Sequence, residues 1–140
     1  MNKIFYIILP SVIFFVAGCA TDQTAGVLLP VEQTQYRGIA HVSGGIGLDE
    51  REKLTAMAKN YSLKLVFAVK SREYLSDVKV KITDSSGKTV LAAAADGPWF
   101  FADLPTGKYT VTASLKGAEK QGTANVVKGQ RQTMLSFYWN

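Results

Sequence analysis

The region from residue 36 to 140 predicts an antiparallel β-sandwich of seven or eight short strands with one short helix, preceded by a segment that is not part of the fold. Three observations carry this expectation. Apolar side chains alternate with polar ones along most of the region, the period of a half-buried strand. Gly, Pro, Asp and Ser interrupt the alternation at short intervals, as a sandwich of short strands requires. Only one stretch departs from period two, and it shows the 3.6-residue period of a helix.

Residues 1–18 stand apart. Lys3 is the only charge before Asp22, and a run from Ile4 to Ala17 is almost wholly apolar but holds Pro10 and Ser11. A spanning helix needs about 20 apolar residues, so the run is too short for one and has the layout of a secretory leader. Val16-Ala17-Gly18-Cys19 closes it and resembles the lipobox of bacterial lipoproteins. That resemblance implies diacylglyceryl transfer to the Cys19 thiol, cleavage between Gly18 and Cys19, and acylation of the new amine. In a Gram-negative cell it also implies sorting to the outer membrane, because Ala20 is not the aspartate that retains such proteins at the inner membrane. Several acyl chains make a stable anchor where one does not. Cys19 is the only cysteine, so its acylation leaves no thiol for a disulfide or a Cys-ligated zinc.

Residues 19–35 are polar and breaker-rich and read as a flexible tether, with Val27-Leu28-Leu29 the one apolar cluster within it. A first strand is expected over Tyr36–Val42, ended by Ser43-Gly44-Gly45-Ile46-Gly47. The helix follows. Asp49 and Glu52 stand in capping-box spacing, and Leu54, Met57, Ala58 and Tyr61 form one apolar stripe. Asn60 is suited to closing the helix in a left-handed conformation.

The strands after it are read from parity. Leu63, Leu65, Phe67 and Val69 share one face, as do Val78, Val80 and Ile82. Asp84-Ser85-Ser86-Gly87-Lys88 is a hairpin loop, and Val90, Ala92 and Ala94 are expected to continue the inward pattern on the return strand. Asp96-Gly97-Pro98 turns the chain into Trp99-Phe100-Phe101-Ala102. Leu104-Pro105-Thr106-Gly107 turns it again into a strand whose Tyr109, Val111, Ala113 and Leu115 face inward. Gly117–Lys120 leads to a strand through Val126 and Val127, and Lys128-Gly129-Gln130 to a last one bearing Leu135, Phe137 and Trp139.

Val78–Ile82, the Asp84–Lys88 loop and Leu104-Pro105-Thr106-Gly107-Lys108-Tyr109 together resemble the carboxypeptidase regulatory-like domain, a small transthyretin-like sandwich. The match covers the stretch from 77 to 117. What it implies is non-catalytic: a folding, binding or spacer module. A transthyretin-like fold also hosts a hydrolase of the purine pathway, but that chemistry needs several histidines and an arginine, and His41 is the only histidine here.

No other motif points to an enzyme. Gly44-Gly45-Ile46-Gly47 lacks the spacing of a phosphate loop. Asp96 and Asp103 flank the aromatic strand and sit beside Gly or Pro, where turn-forming is their expected role. No cofactor and no metal are expected. The formal charge is +5, falling by one when Lys3 leaves with the leader, and the basic residues are scattered singly, which argues against nucleic acid. Trp99-Phe100-Phe101 is the candidate for partner contact. Adjacent strand residues face opposite ways, so one of Trp99 and Phe100 lies outside the sandwich core, either under the helix or open to a partner. The function expected is a non-enzymatic, membrane-anchored envelope lipoprotein whose sandwich binds or supports. The alternative is a carbohydrate- or peptidoglycan-binding module, with Trp99 or Trp139 as stacking platform, or an accessory subunit of an envelope enzyme.

Overall fold

The computed structural model describes residues 34–71 and 75–140, so the leader, Cys19 and most of the tether lie outside the described residues. The described chain is a two-sheet β-sandwich. Its elements are β1 (Thr34–Tyr36), β2 (Ile39–Gly44), α1 (Leu48–Met57) with a 3-10 turn over Ala58–Asn60, β3 (Leu63–Val69), β4 (Val78–Asp84), β5 (Thr89–Ala95), β6 (Trp99–Ala102), β7 (Gly107–Leu115), β8 (Ala118–Val126) and β9 (Thr133–Trp139). One sheet has the order β1-β2-β6-β3-β9, the other β5-β4-β7-β8.

The alternating residues of β3, β4 and β7 meet between the sheets as expected. Leu63, Leu65, Phe67, Val78, Val80, Ile82, Tyr109, Val111 and Ala113 join Phe100, Phe137 and Trp139 in one buried cluster. With no disulfide among these residues, this burial is the main stabilising term, about 1.5–3 kcal/mol for each large side chain taken from water.

Four expectations are corrected. The strand expected over Tyr36–Val42 is instead the second half of a hairpin, whose first half is β1 at Thr34–Tyr36. Tyr36 pairs with Ile39 across a two-residue turn in which Arg37 (φ 48) and Gly38 (φ 83) both have positive φ, as a type I′ turn demands. Lys116 (φ 48) and Gly117 (φ 83) repeat this between β7 and β8, so β8 begins at Ala118 and there is no longer lead-in.

On β5 the inward residues are Leu91, Ala93 and Ala95, while Ala92 and Ala94 face solvent. The cause is a bulge. Ile82 pairs with Leu91 but Thr83 pairs with Thr89, leaving Val90 as the extra residue and reversing the parity after it.

The sandwich is antiparallel in every pairing but one: β3 and β9 run parallel from Leu63↔Thr133 to Val69↔Trp139. The loop over 127–132 carries the chain from the end of β8 to the other sheet, so β9 starts at the same end as β3 and must share its direction.

The helix is capped differently from expectation. Its N-cap is Gly47, with no side-chain cap. Glu50, not Glu52, reaches back, accepting from the N–H groups of Gly45 at 2.9 Å and Ile46 at 3.0 Å. The carboxylate occupies the N3 position of a capping box but bonds to the two N–H groups before the N-cap, and it sits at the positive end of the helix dipole. At the other end Asn60 is not left-handed; the chain leaves through Tyr61 in extended conformation, φ −120. Gln132 Nε2 donates to the carbonyls of Ala58 and Tyr61, both at 2.9 Å, satisfying groups a left-handed cap would otherwise serve.

Two turns between strands are held tightly. Asp84 Oδ1 accepts from the Ser86 and Lys88 N–H groups at 3.0 Å and from the Ser86 hydroxyl at 2.6 Å, which holds its carboxyl below the ordinary value. The 96–98 turn crosses the end of β2 so closely that a Cβ on Gly97 would lie 2.5 Å from the Gly44 carbonyl oxygen.

Candidate functional site

The aromatic strand β6 separates two apolar clusters. Phe100 points between the sheets, has no exposed surface and stacks on His41 with ring centroids 5.6 Å apart. Phe101 points the other way and packs with Val42, Leu54 and Tyr61, with Trp99, Met57 and Ala58 half-buried around them. The apolar stripe of α1 therefore covers the outer side of β6 and β2.

Of the two arrangements expected for β6, this is the one covered by the helix, and it removes Phe100 from the candidates for partner contact. Phe100 lies wholly inside the sandwich, because strand parity sends it to the core, and no partner reaches it without parting the sheets. Trp99 is half-buried, with the Lys64 ammonium 4.0 Å from its ring centroid and the Arg51 guanidinium 5.7 Å from it. Both cations are held by the electron-rich face of the indole. Trp139 does not supply a stacking platform either: it is 5% exposed and its Nε1 donates to the Ala118 carbonyl at 3.0 Å.

The remaining sequence candidates have structural tasks. His41 is buried, and its Nδ1 lies 3.4 Å from the Ile39 carbonyl to which it donates. Asp96 and Asp103 sit at opposite ends of β6 and do not form a pair. Asp96 is tied to Ser43, whose hydroxyl accepts from the Asp96 N–H at 3.0 Å. Asp103 lies 3.5 Å from the Lys128 ammonium, an exposed pair worth at most about 1 kcal/mol. The Leu-Pro-x-Gly-x-Tyr motif is a corner: the Tyr109 hydroxyl donates to the Pro105 carbonyl at 2.8 Å.

What sequence reading missed is a cleft of about 480 Å³ at one end of the sandwich. The 3-10 turn and Tyr61-Ser62 form one wall, the 127–132 loop the other, and Asp103 the floor. Lys59, Lys128 and Arg131 line it and are exposed. Its frame is rigid. Besides the two bonds from Gln132, the Ser62 hydroxyl donates to the Leu104 carbonyl at 2.9 Å and accepts from the Leu104 N–H at 2.8 Å. Lys59 lies far in sequence from Lys128 and Arg131, which share one loop, so only the topology reveals it as their neighbour. The cleft is equipped to attract anions by charge. Among the described residues, no group of three or more His, Cys, Asp or Glu is placed to hold a metal ion.

Burial, with a smaller contribution from the Asp103 charge, raises the Tyr61 phenol above its ordinary 10.0. Burial and Asp84 do the same to Tyr109. A raised folded value favours the neutral phenol, so this contribution to stability is fully present below about pH 10 and lost as pH rises through the folded values. Burial lowers the Lys64 amine from 10.5, which acts in the opposite direction over its own window. In alkaline difference spectra a late-titrating phenol fraction is expected, and Tyr61→Phe and Tyr109→Phe should each remove part of it. Late absorbance unchanged in both variants would refute the assignment.

No family model matches the chain, and neither a curated protein nor a solved structure matches it.

Proposed function

We propose that this chain is a non-enzymatic lipoprotein of the bacterial envelope, anchored by acyl groups on Cys19 and carrying its sandwich as a binding or structural module. The observation that carries the reading is Val16-Ala17-Gly18-Cys19 at the end of a charged-then-apolar leader. The polar side chains that could suggest chemistry are used in holding the fold: Ser62, Gln132, Tyr109 and Asp84 all bond to backbone nearby. The Tyr109 corner supports kinship in design with carboxypeptidase regulatory-like modules, whose roles are likewise non-catalytic. With Ala20 after the lipidated cysteine, the destination in a cell with two membranes is the outer membrane, the domain facing the periplasm.

The test is Cys19→Ser. Wild type is expected in the detergent phase on phase partitioning, with acyl mass on an N-terminus that begins at residue 19. The variant is expected to remain uncut and without acyl mass. Wild type recovered in the aqueous phase with an unmodified N-terminus would end this reading.

A further inference from the structure

The two ends of the sandwich differ in charge. Strand register sorts the loops, because His41, Ala102, Leu63 and Thr133 stand in one row across the sheet. The end beyond that row is built from the 37–38 turn, the Ala58–Ser62 segment, the Asp84–Lys88 loop, the turn after Ala102 and the 127–132 loop. These carry Arg37, Lys59, Lys88, Lys128 and Arg131, all exposed, against Asp84 and Asp103. At the opposite end stand the start of α1, the turns at 96–98 and 116–117, and the segment between β3 and β4. Among its described residues, Asp49, Glu50, Asp77 and Asp96 outnumber Arg51, Lys70 and Lys116. A chain whose basic residues look scattered thus has one basic end.

We propose that this basic end docks on the anionic phospholipid headgroups of the bilayer that holds the anchor, with Lys59, Lys128 and Arg131 around the cleft as the principal contacts. The proposal rests on the lipid-anchor reading and adds an orientation to it. The basic groups come from four separate loops and form a broad face, which suits a plane of charge better than one small ligand. Val127, 38% exposed, stands beside Lys128 on the same loop and offers an apolar side chain at headgroup depth. Residues 20–33 span at most about 50 Å even when fully extended, so the domain stays within reach of the surface. A basic residue close to an anionic leaflet contributes about a fivefold preference, and the effect fades within a Debye length.

The test is hydrogen exchange on the processed full chain, mixed with phosphatidylcholine vesicles or with vesicles that also contain phosphatidylglycerol. Slower exchange over 58–62 and 127–132 on the anionic vesicles alone is expected, with 116–117 unchanged. Changing Lys59, Lys128 and Arg131 together to Gln should shift the docked equilibrium by roughly a hundredfold and remove the protection. About 0.5 M salt should remove it as well. Unchanged exchange in β3 and β4 will show that the triple variant is folded; should it not be, Arg131→Gln alone is expected to lose about fivefold. Equal protection on both vesicle types, protection at the other end, or none at all would overturn the proposal. So would preferential sedimentation with insoluble peptidoglycan. Flotation with neutral vesicles reads the anchor separately. A chain that floats there but gains no protection on anionic vesicles keeps the anchor and loses the docking. One that does not float there but is protected on anionic vesicles keeps the docking and loses the anchor.

Discussion

Phe100→Ala is expected to lower the stability of the domain by about 3–5 kcal/mol. Phe100 has no exposed surface. It belongs to the central strand of its sheet, between β2 and β3, and its ring meets His41 on one side and the core on the other. Truncation leaves a cavity bounded by two sheets whose strands are held by ladders on both sides, so little collapse can fill it. The loss is read as a fall in the denaturation midpoint with unchanged slope. If Phe100→Ala unfolds like wild type and instead loses a binding partner, the side chain is not in the core and the strand parity is wrong.

Leu54→Asp is expected to cost about 4 kcal/mol or more, because it places an unpaired carboxylate where no exposed surface remains. Leu54 is the centre of the cluster between α1 and the outer side of β6, touching the group that includes Val42, Phe101 and Tyr61. Met57→Asp, on the half-buried edge of the same stripe, is expected to cost about half as much, since its carboxylate can turn toward water. The order of the two effects tests the docking of the helix. Equal and small effects would mean that α1 lies away from the sheet and that Trp99 and Phe101 are open.

Parity was the readable part of this fold. It placed β3, β4, β7 and β9 with the right residues inward, and it separated Phe100 from Trp99 and Phe101. It failed where one residue was inserted or one pairing was non-local. The bulge at Val90 cannot be seen in a run of alanines, since either parity of that run is apolar enough to be buried. The Arg37-Gly38 and Lys116-Gly117 turns were hidden because a long basic side chain at positive φ is a weak turn signal. The helix start moved because Glu50, rather than Asp49 with Glu52, met the free N–H groups of the glycine loop. The cleft was illegible for a different reason. Lys59 becomes a neighbour of Lys128 and Arg131 only through the parallel placement of β9 beside β3, and no local pattern specifies that placement. The reading of Cys19 rests on the sequence alone, since the residue lies outside the described residues.

The same parallel ladder governs the order of folding. Leu63 waits for a partner seventy positions later, at Thr133, and β9 brings Phe137 and Trp139, two of the largest core side chains. Until the final strand is present, one side of β3 is a bare edge and that part of the core is open. A chain that emerges N-terminus first, at about 5–20 residues per second during synthesis, therefore cannot finish its sandwich from the front. High contact order of this kind makes folding slow and all-or-none rather than progressive. Loss of β9 removes the closing element and leaves β3 as an unpaired edge exposed to aggregation.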